Sequence, residues 1–308
     1  MPINNRTMMW NRVKRQKQLI LISIPFIIYI FIFFYLPLGG LVMAFQNFRP
    51  NPHLSWYEHE WVGFFQFQRL FTDDSFIRVI RNTFAMGFIN LILSFVTAIV
   101  FALLLNEIFN RKFKRVIQTI SYLPHFLSWI IVTSLVSNML SMEGGMINAF
   151  LGLFGIGPIH FLGRPDLFWW IVGWSHVWKN LGWNTIIYMA TIAGIDPQLY
   201  ESAQIDGANR FQRAWHITLA SMKPTITILL ILNLGWVLNA GFEIQFLLGS
   251  GLVADVAQTI DIFVIRRGIA LNNFSLATAA GLFRSLVAVV MILICNFIAG
   301  RLEGEQVI

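Results

Sequence analysis

The sequence predicts an all-α integral membrane protein with six transmembrane helices, and three observations predict it. Of its 308 residues, 56% are hydrophobic and only 12% are charged. A soluble domain carries about 25% charged residues, so this chain cannot cover a soluble surface. Six apolar segments reach the roughly 20 residues that a helix needs to cross the hydrocarbon core. None of them shows the period-2 alternation of a barrel strand.

The expected spans are residues 19–45, 82–105, 116–140, 167–193, 225–248 and 276–300, in one transmembrane domain over 1–308. Five basic residues (Arg6, Arg12, Lys14, Arg15 and Lys17) precede the first run. That resembles the charged start of a signal peptide, but an apolar h-region is only about 7–15 residues long. The first run is therefore a retained span. Pro25 and Pro37 are expected to kink it or thin its ends, and neighbouring helices can satisfy the freed carbonyls.

Orientation follows from Lys and Arg. With the N-terminus inside, the inner segments hold 13, the outer segments hold 7, and Lys179 and Arg284 fall within spans. The bias places both termini in the cytoplasm. The net charge of +7 thus reflects inner loops and not a nucleic-acid partner. The outer segment 46–75, with Trp56, Tyr57, Trp61 and Phe64, has the composition of an interfacial belt and is expected to hold a short helix. Segment 141–166 is Gly-rich and reads as a turn-filled loop. Segment 249–275 is expected to form another short external helix. The lone Cys295 excludes an intrachain disulfide.

No catalytic constellation is present. No glycine pair is followed by the GK[ST] of a phosphate loop, and no His/Cys cluster suits a metal. His125, His160, His176 and His216 are scattered and read as structural hydrogen-bonding groups. The chain itself needs no cofactor.

The most informative stretch is Tyr200-Glu201-Ser202-Ala203-Gln204-Ile205-Asp206-Gly207-Ala208, within the cytoplasmic loop 196–224. Asp196 suits an N-cap and Pro197 the first helical position. Two turns can follow to Ile205, and Gly207 permits a sharp reversal that side chains resist. Asn209 is expected to cap a second short helix through Arg213 and Trp215, with Pro224 in the first turn of the next span. Leu199, Ala203 and Ile205 offer an apolar knob beside Glu201 and Asp206. That shape suits a groove on a cytoplasmic partner, although an interfacial connector with no partner has the same pattern.

Glu201-Ser202-Ala203, three residues, Gly207, nine residues, then Ile217-x-Leu219 resembles the EAA loop of ABC-importer permeases of the binding-protein-dependent type. Asp206 and Ala208 strengthen the likeness. Ser202 replaces the usual second alanine and Ala220 the usual proline, which leaves the angle of the second short helix open. Phe33-Phe34-Tyr35-Leu36-Pro37, Phe113-Lys114-Arg115, the run from Gln118 to Phe126 and Ile195-Asp196-Pro197 resemble the carbohydrate branch that takes up polysaccharide-derived oligosaccharides. The resemblance implies a second homologous permease subunit, two ATP-binding subunits that hold ATP and Mg, and an extracytoplasmic solute-binding protein. It also implies that Glu201, Ala203, Asp206, Gly207, Ile217 and Leu219 form the ATPase-coupling site.

For a substrate path, polar residues inside spans are costly and face an interior or a cavity. His176, Asn180 and Trp183 recur at i, i+4 and i+7, on one helical face, with Lys179 and Asn184 beside it. In the fifth span Asn233 and Trp236 share a face, with Asn239 and Glu243 near the outer end. Trp and Asn on a cavity wall could stack on a sugar ring and bind its hydroxyls, and the resemblance points to the same two helices. The same residues also serve as glue between packed helices. Lys179 in mid-span costs about 2.5–3.5 kcal/mol on insertion scales. It is expected to pair with a carboxylate, face water or attract an anionic substrate, and Arg284 invites the same readings. Two such cations along the path would suit an acidic oligosaccharide; snorkelling to the outer interface is the alternative. Rival functions are import of a non-sugar solute on the same architecture, or a polytopic protein with no ATPase partner.

Overall fold

Apolar runs of this length have one way to satisfy their backbone in lipid, which is to form helices. The computed structural model describes residues 16–51, 53–55 and 58–303, with side chains to Phe297. The basic residues Arg6, Arg12, Lys14 and Arg15, the interfacial Trp56 and Tyr57, and the side chain of Arg301 lie outside the described residues. Among those described, the strand-like pairing is one isolated bridge between Gln46 and Trp61.

Helix α1 (Lys17–Ile30) passes into a π segment, Phe31–Tyr35, and a 3₁₀ segment, Leu36–Phe45. Pro25 lies inside the helix and Pro37 starts the 3₁₀ part. No residue of α1 is buried; in a membrane chain, so apolar a face meets lipid or another subunit. The short helix α2 (Phe65–Thr72) lies in the segment expected to hold one, and it buries Gln66 and Leu70.

Helix α3 (Asp74–Asn106) has 33 residues, or roughly 50 Å at 1.5 Å per residue. Asp73 caps it by accepting from the Ser75 amide at 2.8 Å. Three apolar clusters follow one another along its length. Phe76 and Val79 pack with Phe263 and Ala279; Met86 packs with Phe168 and Ile244; Ala98 and Ala102 pack with Tyr188 and Met222. Its main partner is α7 (Pro165–Ala193). Gly173 lets the two approach: a Cβ there would lie 2.9 Å from Leu93. Thr185 Oγ1 donates to the Leu181 carbonyl at 2.6 Å and reaches the Ala98 carbonyl at 3.4 Å.

Four described helical segments are long and apolar enough to cross a membrane, and five if one bent pair counts as a single span. They are Lys17–Phe45, Asp74–Asn106, Arg210–Gly235 and Phe274–Phe297, with Arg111–Phe126 plus Trp129–Met139 as the bent pair. Helix α7 has the length, at 29 residues. It falls short in apolarity because five Trp, with His176, Lys179, Asn180 and Asn184, interrupt it.

Two expected spans differ from the structure. The third, 116–140, is not continuous. Helix α4 (Arg111–Tyr122) ends in a 3₁₀ turn, Leu123–Phe126, and α5 (Trp129–Met139) leaves at 104°. Pro124 lacks the N–H that would continue the ladder. Ser128, in an extended conformation, caps the new helix by accepting from Ile131. The fifth, 225–248, is displaced and broken. After α8 (Pro197–Ile205), helix α9 (Arg210–Gly235) runs without interruption through a π segment at Ala214–Thr218 and through Pro224. There is no separate second short helix, and Pro224 lies inside α9 instead of opening it. The chain then breaks at Val237–Gly241 before the short α10 (Phe242–Leu248).

The Gly-rich loop holds a short helix, α6 (Met146–Gly152). Asn148 pins it, donating to the Ser141 and Ile159 carbonyls and accepting from the Ile159 amide, all at 2.9 Å. Segment 249–275 folds as short helical pieces, among them Ala254–Ala257 and Ile260–Ile265. They are tied to α3 by Asn82, which donates to the Asp255 and Gln258 carbonyls at 2.6 and 3.1 Å. The last helix runs Phe274–Glu303.

Candidate functional site

Two features carry the chemistry, one at each end of α9. At its start, Asp196 caps α8, accepting from the Gln198 amide at 2.9 Å, with Pro197 in the first turn. Gly207 then takes φ +79°, a left-handed value that glycine adopts without penalty. Asn209 and Gln212 form a capping box at the start of α9, which satisfies two orphan N-terminal amides at once. The α8 N-cap, the glycine turn and the Asn209 cap are where the sequence put them.

Glu201 and Asp206 are exposed, as are Leu199 and Ile205; Ile205 keeps 87% of its surface. Ala203, Asp206, Gly207 and Ile217 line a hollow of about 320 Å³ inside the bend, with Ala208, Gln212, Arg213 and His216. Leu219 is half-buried and lies outside that hollow, where α9 resumes α-helical geometry after the π segment. Tyr200, which sequence reasoning passed over, crosses the bend to Thr218 at 2.8 Å.

At the other end, the break at Val237–Gly241 opens a cleft of about 520 Å³ between α3, α7 and α9. His176, Asn180 and Trp183 line it from α7, and Asn233, Trp236 and Asn239 from α9 and the break. Trp236 is 71% exposed and Trp183 48%. Irregular backbone at membrane depth is tolerated where protein buries it or it borders a cavity. Here both conditions hold. The Ala240 carbonyl accepts from Asn90 Nδ2 at 3.2 Å and also from Gln245 Nε2. Gly87 meets the Val237 carbonyl so closely that a Cβ would lie 2.1 Å from it. His176 Nε2 and Asn90 Oδ1 are buried and make no hydrogen bond among the described residues.

Lys179 does not belong to this wall. It is absent from the cleft lining, and its Nζ donates to the His125 and Leu127 carbonyls at 2.5 and 2.7 Å. It also lies 5.5 Å from the centre of the Trp129 ring. Hydrogen bonds to a charged group contribute about 1.5–3 kcal/mol each. Two of them offset an insertion cost of about 2.5–3.5 kcal/mol. The direct partners of Lys179 are thus carbonyls that the bend at Leu123–Phe126 sets free, and of the expected partners the carboxylate of Glu243 adds a longer-range attraction. Arg284 took the first of its expected options and pairs with Asp261 at 2.5 Å.

Asn90 and Ser94 also line the cleft and went unnoticed in the sequence. Their signal was present: two polar residues one helical turn apart in a mostly apolar span, in register with Gly87 and Ala98. His125 touches two lining residues. Its ring lies parallel to Trp183, 4.4 Å away and tilted by 3°, and its Nδ1 is 3.0 Å from Asn180 Oδ1.

A comparison with known families matches residues 92–304 to the binding-protein-dependent transport system inner membrane component. The chain belongs to that family. This permease is therefore a non-catalytic, multi-pass inner-membrane component of a bacterial ABC transporter. It is 40% identical over 293 residues to the polygalacturonan/rhamnogalacturonan transport system permease protein YteP of Bacillus subtilis, covering 95% of this chain and 91% of that one. It is equally similar to protein LplB of the same organism, at 40% over 95% of this chain and 92% of the relative. Among solved structures it resembles a bacterial ABC transporter involved in the import of the acidic polysaccharide alginate. That match has 38% identity and a TM-score of 0.89, and covers 96% of this permease and 99% of the other chain. It is similar to the same degree, 38% identity and a TM-score of 0.89 over 97% of this chain and 99% of the other, to a bacterial alginate ABC transporter in complex with an alginate pentasaccharide-bound periplasmic protein.

Proposed function

We propose that this permease passes an oligosaccharide derived from an acidic polysaccharide from a solute-binding protein to the cytoplasm. It would do so as one of two homologous membrane subunits above two ATP-binding subunits, which hold ATP and Mg. The chain crosses the bilayer six times with both termini cytoplasmic, the bent third pair and α7 each counting as one crossing. The observation that carries this reading is a mechanical one. A single helix, α9, starts at the Gly207 bend and ends at the break that walls the cleft. Motion applied at Glu201, Ala203, Asp206, Gly207, Ile217 and Leu219 would thus reach Asn233, Trp236 and Asn239 through one rigid element. Glu201, exposed on α8, would pair with a basic group of the ATPase, and Gly207 would set the angle of the arm.

The sugar class draws its support from the substrates named for the relatives and from the wall itself. Asn, Ser and Trp side chains, with His176, supply ring-stacking faces and hydroxyl partners, and none of the lining residues is Lys or Arg. With Lys179 and Arg284 both engaged elsewhere, this wall reads ring faces and hydroxyls; recognition of carboxylates would fall to the partner permease or the binding protein. The test is sugar-stimulated ATP hydrolysis by the reconstituted complex, with the binding protein offered uronate or neutral oligosaccharides. Uronate fragments should stimulate, and Glu201→Lys should abolish the response while the chain still inserts. Stimulation by neither sugar class, or normal uptake by the Glu201→Lys transporter, would count against the proposal.

A further inference from the structure

The bend between α4 and α5 is attached to α7 by a connected set of polar and ring contacts. Lys179 holds the carbonyls on either side of Phe126, those of His125 and Leu127. The bend in turn carries His125, stacked parallel on Trp183 and bonded to Asn180. Phe126 adds an edge contact to the same indole, at 6.3 Å and 84°. Close approach is built in at Gly182, where a Cβ would lie 2.3 Å from the Ser121 carbonyl.

The hydrogen-bond roles in this set are determined. Asn180 Nδ2 donates to the His176 carbonyl at 3.2 Å, so its Oδ1 is the atom that faces His125. An amide oxygen only accepts, so His125 Nδ1 carries a proton and donates. Both ends of the Asn180 amide are therefore occupied within the protein. One face of Trp183 is covered by an aromatic ring, and what it offers the cleft is held in a single orientation.

We propose that Lys179 and His125 are positioning residues of the sugar path. Lys179 clamps the bend to α7, and the bend backs Trp183 with the His125 ring so that the indole presents a preorganised platform. The inference rests on the sugar-path reading of Trp183. A rigid platform binds more tightly than a mobile one because less side-chain entropy is lost on binding. The effect should therefore appear in substrate affinity and not in the rate of the ATP-driven step. Lys179 acts through His125, so removing either should have the same consequence and removing both should add little.

The experiment is uptake of an oligogalacturonate by the complete transporter in proteoliposomes, as a function of loaded binding protein. Lys179→Met and His125→Ala should each raise the half-saturating concentration up to about tenfold, the upper end of the cost of ordering one side chain on binding, with maximal rate and basal ATPase little changed. His125→Phe keeps a ring behind Trp183 and should lie close to the parent. The Lys179→Met, His125→Ala double variant should match the worse single variant. The proposal is overturned if His125→Ala leaves half-saturation unchanged, if His125→Phe is as poor as His125→Ala, or if the two single effects multiply. Should Lys179→Met fail to assemble, seen as lost basal ATPase, the comparison of Ala with Phe at 125 decides. Trp183→Ala separates the two levels. If it leaves uptake unchanged, the sugar-path reading fails; if it weakens uptake while His125→Ala does not, only the positioning role fails.

Discussion

The phenolic oxygen of Tyr200 lies 2.8 Å from Oγ1 of Thr218, across the Gly207 turn. Thr218 is buried in the π segment of α9, and Tyr200 immediately precedes the exposed Glu201. This bond ties the arm that would carry the ATPase contact to α9. Tyr200→Phe removes a hydrogen bond of about 1 kcal/mol and leaves the ring. The expected outcome is slack in the arm, with more ATP hydrolysed per sugar imported and little change in substrate affinity. Thr218→Val should behave alike, and the double variant should be no worse than either single one. Unchanged stoichiometry in Tyr200→Phe would show that the bond plays no part in coupling.

Gly207 separates backbone strain from crowding. Its φ is +79°, and a Cβ added there meets nothing within 4 Å. Any cost of a side chain is therefore conformational, about 1–2 kcal/mol for the left-handed region. Asn tolerates that region better than β-branched residues. Uptake and thermal stability should rank the parent first, then Asn, Ala and Val at 207. If Val equals Ala and both match the parent, the turn does not set the arm.

Gly241 combines strain with a collision. Its φ is +77°, and a Cβ would lie 2.2 Å from His176 Nε2. Gly155 has a similar φ, +76°, with nothing within 4 Å. Gly241→Ala should therefore destabilise the protein by about 1–3 kcal/mol more than Gly155→Ala, the usual cost of overpacking. Adding His176→Ala should recover the steric part of the loss and not the backbone part. Thermal unfolding of the detergent-solubilised protein measures all three. Equal midpoints for the two alanine variants would show that the break does not rest on His176.

Much of the fold was legible because lipid imposes a simple rule on backbone polar groups. The long helices at 82–105 and 276–300 were readable from apolar length alone, and α3 merely begins earlier, at Asp74. Helix α7 was readable despite its Trp content, and the face of His176, Asn180 and Trp183 does line the cleft. The loop around Gly207 was readable because caps and left-handed turns are local events, settled by Asp196, Pro197, Gly207 and Asn209 themselves. The 104° bend and the break at Val237–Gly241 were not. Pro124 and Gly241 mark positions where a helix can fail, but Pro25 and Pro224 have helix continuing on both sides. What separates them is whether neighbours satisfy the carbonyls set free, as Lys179 does at the bend and as Asn90 and Gln245 do at the break.

By itself, then, the sequence determined an all-helical membrane chain, the bent polar arm at 201–207 and the polar and aromatic face that lines the cleft, because each depends on hydrophobic length or on contacts within a few residues. Only the tertiary structure decided where the helices break and what Lys179 does. A cation's partner is chosen by distance in space, and the two carbonyls that hold Lys179 come from residues more than fifty positions away in the chain.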